Sequence, residues 1–190
     1  MAMLQSRLTR AEWGLALWWV VATTAGWLVG FAVCEAFSAF LRSLSGDGAI
    51  IGTGVGIAQW LVLRRQFSGA RWWILASVIG FGIGKVLGDQ LAAAVGGPVG
   101  IALGGATIGV AAGLLQWIVL RREVAAPGWW VLASTIGWAV AWMIIGTIED
   151  GAAGPSGSAY LIGVAGAALA GVITGATLVW LLRTRTAARP

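Results

Sequence analysis

The chain has 190 residues, of which 59% are hydrophobic and only 10% charged, whereas soluble domains average roughly 25% charged residues. Thirty glycines and thirteen tryptophans are typical of transmembrane helices and their interfacial aromatic belts. The composition therefore excludes an ordinary soluble protein and predicts one integral membrane domain over residues 1–190. A net charge of +5 would suggest nucleic acid as a partner of a soluble protein, but here the arginines flank apolar stretches, so we expect no nucleic-acid partner.

Six apolar stretches approach the roughly 20 residues that cross a bilayer as a helix. The second stretch is short, and it spans only if residues 46–48 join the helix or the bilayer thins locally. We therefore predict an all-α fold with six transmembrane helices. The predicted spans are residues 13–40, 49–63, 72–94, 99–120, 129–148 and 159–182.

The positive charges predict the orientation. Only Arg42 and Lys85 fall in segments on one side of the predicted spans. The other side includes both termini, which the positive-inside rule places in the cytoplasm. The opposite connections, residues 43–48, 92–98 and 150–158, read as short turns rich in Gly, Ser and Pro. The cytoplasmic set is Arg7, Arg10, Arg64, Arg65, Arg71, Arg121, Arg122, Arg183, Arg185 and Arg189.

A phrase that joins two predicted spans occurs twice. Gln59-Trp60-Leu-Val-Leu-Arg64-Arg65 and Gln116-Trp117-Ile-Val-Leu-Arg121-Arg122 are each followed, six residues later, by Trp-Trp-x-Leu-Ala-Ser. A degenerate third copy near Trp180 keeps the tryptophan and the basic end but lacks the glutamine. We predict three tandem helical hairpins, at about 11–65, 66–122 and 123–185, which close into a pseudo-threefold bundle.

This repeated pattern, Gly-x3-Gly-x2-Gln-Trp-x-Val-Leu-Arg-Arg followed by Trp-Trp-x-Leu-Ala-Ser, resembles a group of small, mostly uncharacterised multi-pass membrane proteins of bacteria. The resemblance covers residues 52–77 and 109–134, with a weaker echo at 171–185. It implies a multi-pass membrane protein of bacteria and carries no assigned activity; we expect the inner membrane, with both termini in the cytoplasm.

Glycines spaced four residues apart predict the helix contacts. Small residues let helix backbones approach closely where lipid provides no hydrophobic drive for association. Packing is the favoured interpretation, and a pore-facing seam along which backbones slide is the alternative. The predicted packing glycines are Gly48, Gly52, Gly56, Gly80, Gly84, Gly88, Gly105, Gly109, Gly113, Gly171 and Gly175.

Tryptophans and arginines cluster at the predicted cytoplasmic boundary. We interpret the tryptophans as an aromatic belt that holds each span at its depth, with a pigment or sterol site as the alternative. The double arginines fix topology and can bind anionic lipid headgroups. The predicted interface residues are Arg64, Arg65, Arg121, Arg122, Trp60, Trp72, Trp73, Trp117, Trp129, Trp130 and Trp180; Trp18 and Trp19 belong to the same belt.

Ionisable residues inside membrane spans are costly and therefore candidates for function. Glu35 and Asp89 occupy the same position in the first two repeats, and Glu149 lies near the corresponding place in the third. Lys85, four residues before Asp89, can pair with it on one helix face. We interpret these groups as ion pairs and caps at the outer headgroup level; the alternative is an acidic vestibule that attracts cations or relays protons.

Gln59 and Gln116 lie roughly one turn inside the double arginines. A buried amide can donate and accept hydrogen bonds across a helix pair, so we interpret both as structural bridges. The alternatives are the lining of a conduit or the ligation of a pigment's magnesium. Thr23, Ser77 and Ser134 are expected to bond the carbonyls of their own helix or a neighbouring helix.

The sequence contains no histidine, which removes the commonest metal ligand and general base, and no other catalytic group is paired with a base. We therefore expect no enzymatic activity, metal site or cofactor other than bound lipid. The favoured hypothesis is an accessory or scaffold subunit that contacts lipids and other membrane subunits or itself. The alternatives are a small ion or solute channel with a conduit on the pseudo-threefold axis, and an antenna-like subunit that binds pigment or lipid.

Overall fold

A computed structural model describes residues 8–37, 47–149 and 157–187, and the side chains of 8–37, 47–146 and 160–184. Over these ranges the regular elements are six α-helices and one turn of 3-10 helix at Ser68–Arg71. The helices are α1 Arg10–Ala36, α2 Asp47–Leu63, α3 Trp72–Val95, α4 Gly97–Leu120, α5 Gly128–Glu149 and α6 Gly157–Ala187.

The six helices form a closed ring. Each helix packs against the next along the chain, and α6 packs against α1. Neighbours run antiparallel: Gly26 of α1 lies against Gly54 of α2, whereas Gly30, one turn further along α1, lies against Ile51. We call the end of the bundle that carries Arg64, Arg65, Arg121 and Arg122 the arginine end.

Five of the helices are long and apolar enough to cross a membrane. The exception is α2, with 17 residues, because a helix of that length extends only about 25 Å against a hydrocarbon core of about 30 Å. The sequence had identified this stretch as the short one. Gly48 does join α2, as its predicted extension required, and Asp47 begins the helix, where a carboxylate complements the helix dipole.

Several predicted turns are shorter in the structure than in the sequence prediction. The predicted turn at 92–98 is wrong for most of its length, because α3 continues to Val95 and α4 begins at Gly97. Gly96 and Gly97 have φ of +73° and +56°, a left-handed conformation that glycine adopts at little cost. Two glycines therefore suffice to reverse the chain. The predicted first span is too long at its end, since α1 stops at Ala36, and 38–40 lie outside the described residues.

The first and last helices are tied together at the arginine end. Thr9 and Glu12 form a capping box that begins α1: the Thr9 side chain accepts a hydrogen bond from the Glu12 amide, and the Glu12 carboxylate accepts one from the Thr9 amide. The same carboxylate accepts hydrogen bonds from the Nε and Nη2 atoms of Arg183 in α6. This two-point contact joins the first helix to the last and helps to close the ring.

Candidate functional site: a buried indole cluster

Three tryptophans meet at the centre of the ring. Trp19 of α1, Trp73 of α3 and Trp130 of α5 are 0%, 0% and 1% exposed. Their ring centroids are 5.8 Å, 5.7 Å and 5.3 Å apart, and each pair meets edge to face. Such aromatic pairs contribute roughly 0.5–1.5 kcal/mol beyond the area they bury. We call these three residues the indole cluster; it fills the centre of the bundle towards the arginine end.

Each indole N–H of the cluster donates a hydrogen bond to a neighbouring helix. Trp73 donates to Gln59 Oε1 at 2.8 Å, and Trp130 donates to Gln116 Oε1 at 2.9 Å. Trp19 donates to the Thr174 hydroxyl of α6 at 3.0 Å. A buried indole N–H without an acceptor would be destabilising, so these three acceptors make the central position of the rings possible.

The two glutamines extend these bonds to the next helix. Gln59 Nε2 donates to the Thr23 hydroxyl of α1 at 3.0 Å, and Gln116 Nε2 donates to the Ser77 hydroxyl of α3 at 3.0 Å. Each hydroxyl in turn donates to a carbonyl one turn earlier in its own helix, that of Trp19 or Trp73. Each amide thus bridges a tryptophan on one side and a hydroxyl on the other.

The result is a continuous polar chain that reaches all six helices. It runs from Trp130 through Gln116 and Ser77 to Trp73, and from there through Gln59 and Thr23 to Trp19 and Thr174. Every link is between buried groups. Within the described side chains, these hydrogen bonds connect α5 to α4, α4 to α3, α3 to α2, α2 to α1 and α1 to α6.

The structure corrects the assignment of Trp73 and Trp130 to the lipid interface, and of Trp19 with them. Successive residues of a helix point about 100° apart, so the second member of each double tryptophan can turn into the bundle while the first faces outwards. The first members do face outwards: Trp18, Trp72 and Trp129 are 64%, 56% and 56% exposed. A signal in the sequence could have revealed this, because Gln59 precedes Trp73 by the same 14 residues by which Gln116 precedes Trp130.

The remaining predicted interface residues lie at the arginine end on the outside of the bundle. Trp60 and Trp117 are half-buried, and Trp180 is 45% exposed. The Arg64 guanidinium lies 5.4 Å from the Trp60 ring centroid, and Arg121 lies at the same distance from Trp117. These cation–π contacts are a favourable way to hold an arginine beside an indole. The exposed Arg65 and Arg122 follow them directly.

The predicted packing glycines lie where neighbouring helices approach closely. A Cβ atom at Gly80 would lie 2.5 Å from the Ala112 Cα of α4, and one at Gly52 would lie 2.6 Å from the Ser77 carbonyl oxygen of α3. The missing side chain therefore sets these helix separations. A Cβ would come within 3.1 Å or less of the adjacent helix at each of Gly48, Gly52, Gly56, Gly80, Gly84, Gly88, Gly105, Gly109, Gly113, Gly171 and Gly175.

Lys85 lies at the opposite end of the bundle from the double arginines. Its ammonium pairs with Asp89 on the same helix and with Asp47 Oδ2 of α2 at 3.3 Å. It also lies 5.5 Å from the Trp142 ring centroid. The Lys85 side chain is 15% exposed, so the two carboxylates neutralise a cation that is largely withdrawn from solvent.

The other predicted acidic residues do not join this ion cluster in the described part of the chain. Glu35 is exposed on α1, and the side chain of Glu149 lies outside the described residues. A cavity of about 10 Å³ beside Lys85 is lined by Trp27, Phe81 and Trp138, among others. That volume corresponds to about one water molecule, so the centre of the bundle is closely packed at this end as well.

No protein-family model, curated protein or solved structure matches this chain. Among the described residues, no group of His, Cys, Asp and Glu is arranged to hold a metal ion.

Proposed function

We propose that this chain is a non-enzymatic membrane protein, an accessory or scaffold subunit that packs against other membrane subunits or against copies of itself. The observation that carries this proposal is that the interior of the bundle is filled by side chains whose polar groups bond one another. The indole cluster fills the centre, and Gln59 and Gln116 satisfy the buried indoles and hydroxyls around it. Chemistry and transport both need accessible polar groups, whereas here the buried polar groups bond one another.

The outer surface supports an interaction role. Large apolar side chains point outwards along the bundle, including Leu17 at 64% exposure, Val99 at 63% and Leu161 at 70%. A soluble protein rarely leaves so much contiguous apolar surface uncovered. Lipid and the apolar surfaces of other membrane subunits are the partners that such a surface fits.

In the proposed topology all six helices span the inner membrane of a bacterium as three tandem hairpins around a pseudo-threefold axis. Both termini and the arginine end face the cytoplasm, as the positive-inside rule predicts. The closed antiparallel ring supports this arrangement, and so do the three indoles, one from each proposed repeat, that meet at its centre. Local thinning of the bilayer accommodates the short α2.

Cysteine labelling tests the topology. In a Cys34→Ala background, we place single cysteines at the exposed Ser68, Ala125 and Ala94. A membrane-impermeant maleimide is expected to label only Ala94→Cys in intact bacterial cells, and the other two variants only after the membrane is opened. Ser68→Cys and Ala125→Cys serve as controls for each other, because the proposal places both on one side. Labelling of these two positions from opposite sides would disprove the arrangement.

Purification tests the scaffold function. After chemical cross-linking in native membranes and gentle solubilisation, we expect the chain to elute with another membrane subunit, or with further copies of itself, in a fixed ratio measured by mass spectrometry. We also expect liposomes containing the purified chain to show no ion flux above empty liposomes. A solitary chain that conducts ions, with flux abolished by Glu35→Gln plus Asp89→Asn, would favour the channel instead. Co-purifying visible absorbance would favour pigment binding.

A further inference from the structure

Three open grooves lie on the outside of the bundle at the arginine end. Each runs between two neighbouring helices: about 540 Å³ between α1 and α6, about 470 Å³ between α3 and α4, and about 630 Å³ between α1 and α2. These volumes are within the range of sites that hold small ligands, about 300–1,000 Å³. All three grooves have apolar walls and at least one arginine among their lining residues.

The grooves differ in charge. In the α1/α6 groove the Arg183 guanidinium is bonded to the Glu12 carboxylate. The α3/α4 groove is lined by Arg122 together with Glu123, so its formal charges cancel. The α1/α2 groove is lined by Arg64 and Arg65, and there is no acidic residue among its lining residues. Of these three grooves between described residues, the α1/α2 groove alone combines an apolar channel with two positive charges that no acid of the groove neutralises.

The shape of the α1/α2 groove suits a hydrocarbon chain. Small residues of both helices form its floor, among them Gly14, Ala25 and Ala58. A Cβ atom at Gly14 would meet no other atom within 4 Å, so this part of the floor is open. The exposed Trp18 indole forms part of one wall, and the Arg64 guanidinium is held at the rim over the Trp60 ring.

We propose that the α1/α2 groove binds one anionic phospholipid. The phosphate bonds to Arg64 and Arg65, because guanidinium groups form paired, charge-assisted hydrogen bonds with phosphate oxygens. One acyl chain lies along the glycine and alanine floor beside Trp18. The inference rests on the proposed membrane insertion of the chain, and it adds a defined lipid site to a surface that otherwise contacts lipid without selection.

Lipid titration tests the role of the two arginines. Purified, delipidated protein in neutral detergent is titrated with phosphatidylglycerol or phosphatidylcholine, and bound lipid is counted by native mass spectrometry. We expect the tightest site to prefer phosphatidylglycerol by at least about tenfold. Arg64→Gln plus Arg65→Gln should weaken that site about 30-fold, since each arginine near an anionic headgroup contributes roughly fivefold.

The double variant Arg121→Gln plus Arg122→Gln is the matched control and should change the affinity of that site less than about twofold. Equal losses in both double variants would indicate only general surface charge and would overturn the proposal.

A second pair of variants tests the groove itself. Gly14→Leu should fill the floor and weaken phosphatidylglycerol binding by about tenfold or more without lowering the melting temperature, because a Cβ at Gly14 would meet no other atom within 4 Å. Gly69→Leu is the control, since Gly69 lines the α3/α4 groove and is equally open. Unchanged binding in Gly14→Leu would overturn the proposal, as would displacement of the lipid by an equal concentration of inorganic phosphate. If cysteine labelling gives the expected topology but the lipid titrations do not give the expected losses, only the lipid site is wrong. If labelling contradicts the expected topology, the proposed membrane arrangement is wrong.

Discussion

Replacing Trp73 by alanine is expected to destabilise the bundle by about 3–5 kcal/mol, the usual cost of truncating a large buried aromatic side chain. Trp73 is 0% exposed and contacts both other rings of the indole cluster. Its removal also leaves Gln59 Oε1 without the hydrogen bond that it accepts at 2.8 Å. For a chain of this length we expect the melting temperature to fall by roughly 10 °C, measured by circular dichroism in mild detergent.

The adjacent residue provides a matched control. Trp72 precedes Trp73 in the same first turn of α3 but is 56% exposed, so Trp72→Ala should change the melting temperature by no more than about 2 °C. Trp73→Phe should fall between the two, because it keeps an aromatic ring and loses the N–H donor. Hydrogen bonds between membrane helices are worth about 0.6 kcal/mol on average, so packing should account for most of the difference. Similar melting temperatures for Trp72→Ala and Trp73→Ala would contradict the central position of Trp73.

The sequence was sufficient to predict the helical elements and most of their ends. Long apolar stretches bounded by arginine pairs and glycine-rich connections placed the start of α3 at Trp72 and the end of α4 at Leu120, as the structure has them. The end of α1 was placed too late, because residues 37–40 are as apolar as the helix before them. Hydropathy alone does not locate the end of a helix where further apolar residues follow in the sequence.

The centre of the bundle was harder to predict. Tryptophan is common both at membrane interfaces and in packed interiors, so the position of Trp73 near a predicted boundary favoured the interface. What decides its position is Gln59 of α2, which accepts the hydrogen bond of the Trp73 N–H and donates in turn to the Thr23 hydroxyl of α1. The repeated 14-residue spacing from glutamine to tryptophan indicates the pairing of Gln59 with Trp73, but the third member, Thr23, is identified only when the helices are assembled. In α6 the acceptor is Thr174, which lies five residues before Val179, the residue that aligns with Gln59 and Gln116 in the sequence, and the sequence analysis missed it.

Lys85 shows a different limit of sequence analysis. Its spacing from Asp89 on one helix was enough to suggest their pairing, but not the second carboxylate, Asp47, which comes from α2. Asp47 had been assigned to a turn, and only the extra residues at the start of α2 bring it beside the ammonium. Gly48 allows this contact, because a Cβ there would lie 2.5 Å from the Lys85 Cβ. A two-residue error at a helix end thus concealed one of the two carboxylates that pair with Lys85.

Gly80→Ala is expected to destabilise the bundle, whereas Gly137→Ala is not. Both glycines follow the second tryptophan of a pair by seven residues, in α3 and α5. A Cβ at Gly80 would lie 2.5 Å from Ala112 Cα and 2.9 Å from its amide nitrogen, both backbone atoms of α4. A rotation of a side chain cannot relieve such a contact, so the two helices must separate. A Cβ at Gly137 has its nearest neighbour, Ala170 Cα, at 3.4 Å, which is ordinary van der Waals contact.

The two substitutions share the same gain in helix propensity, about 1 kcal/mol, so their difference isolates the effect of the close approach. Overpacking a tight contact costs about 1–3 kcal/mol, and separation of α3 from α4 would also stretch the Gln116–Ser77 hydrogen bond. We expect Gly80→Ala to lower the melting temperature by about 5 °C relative to Gly137→Ala, which should melt with the parent chain or slightly above it. Equal melting temperatures would mean that α3 and α4 do not approach through Gly80. The geometry of the polar chain would then be wrong as well, because Ser77 reaches Gln116 only while these two helices remain in close contact.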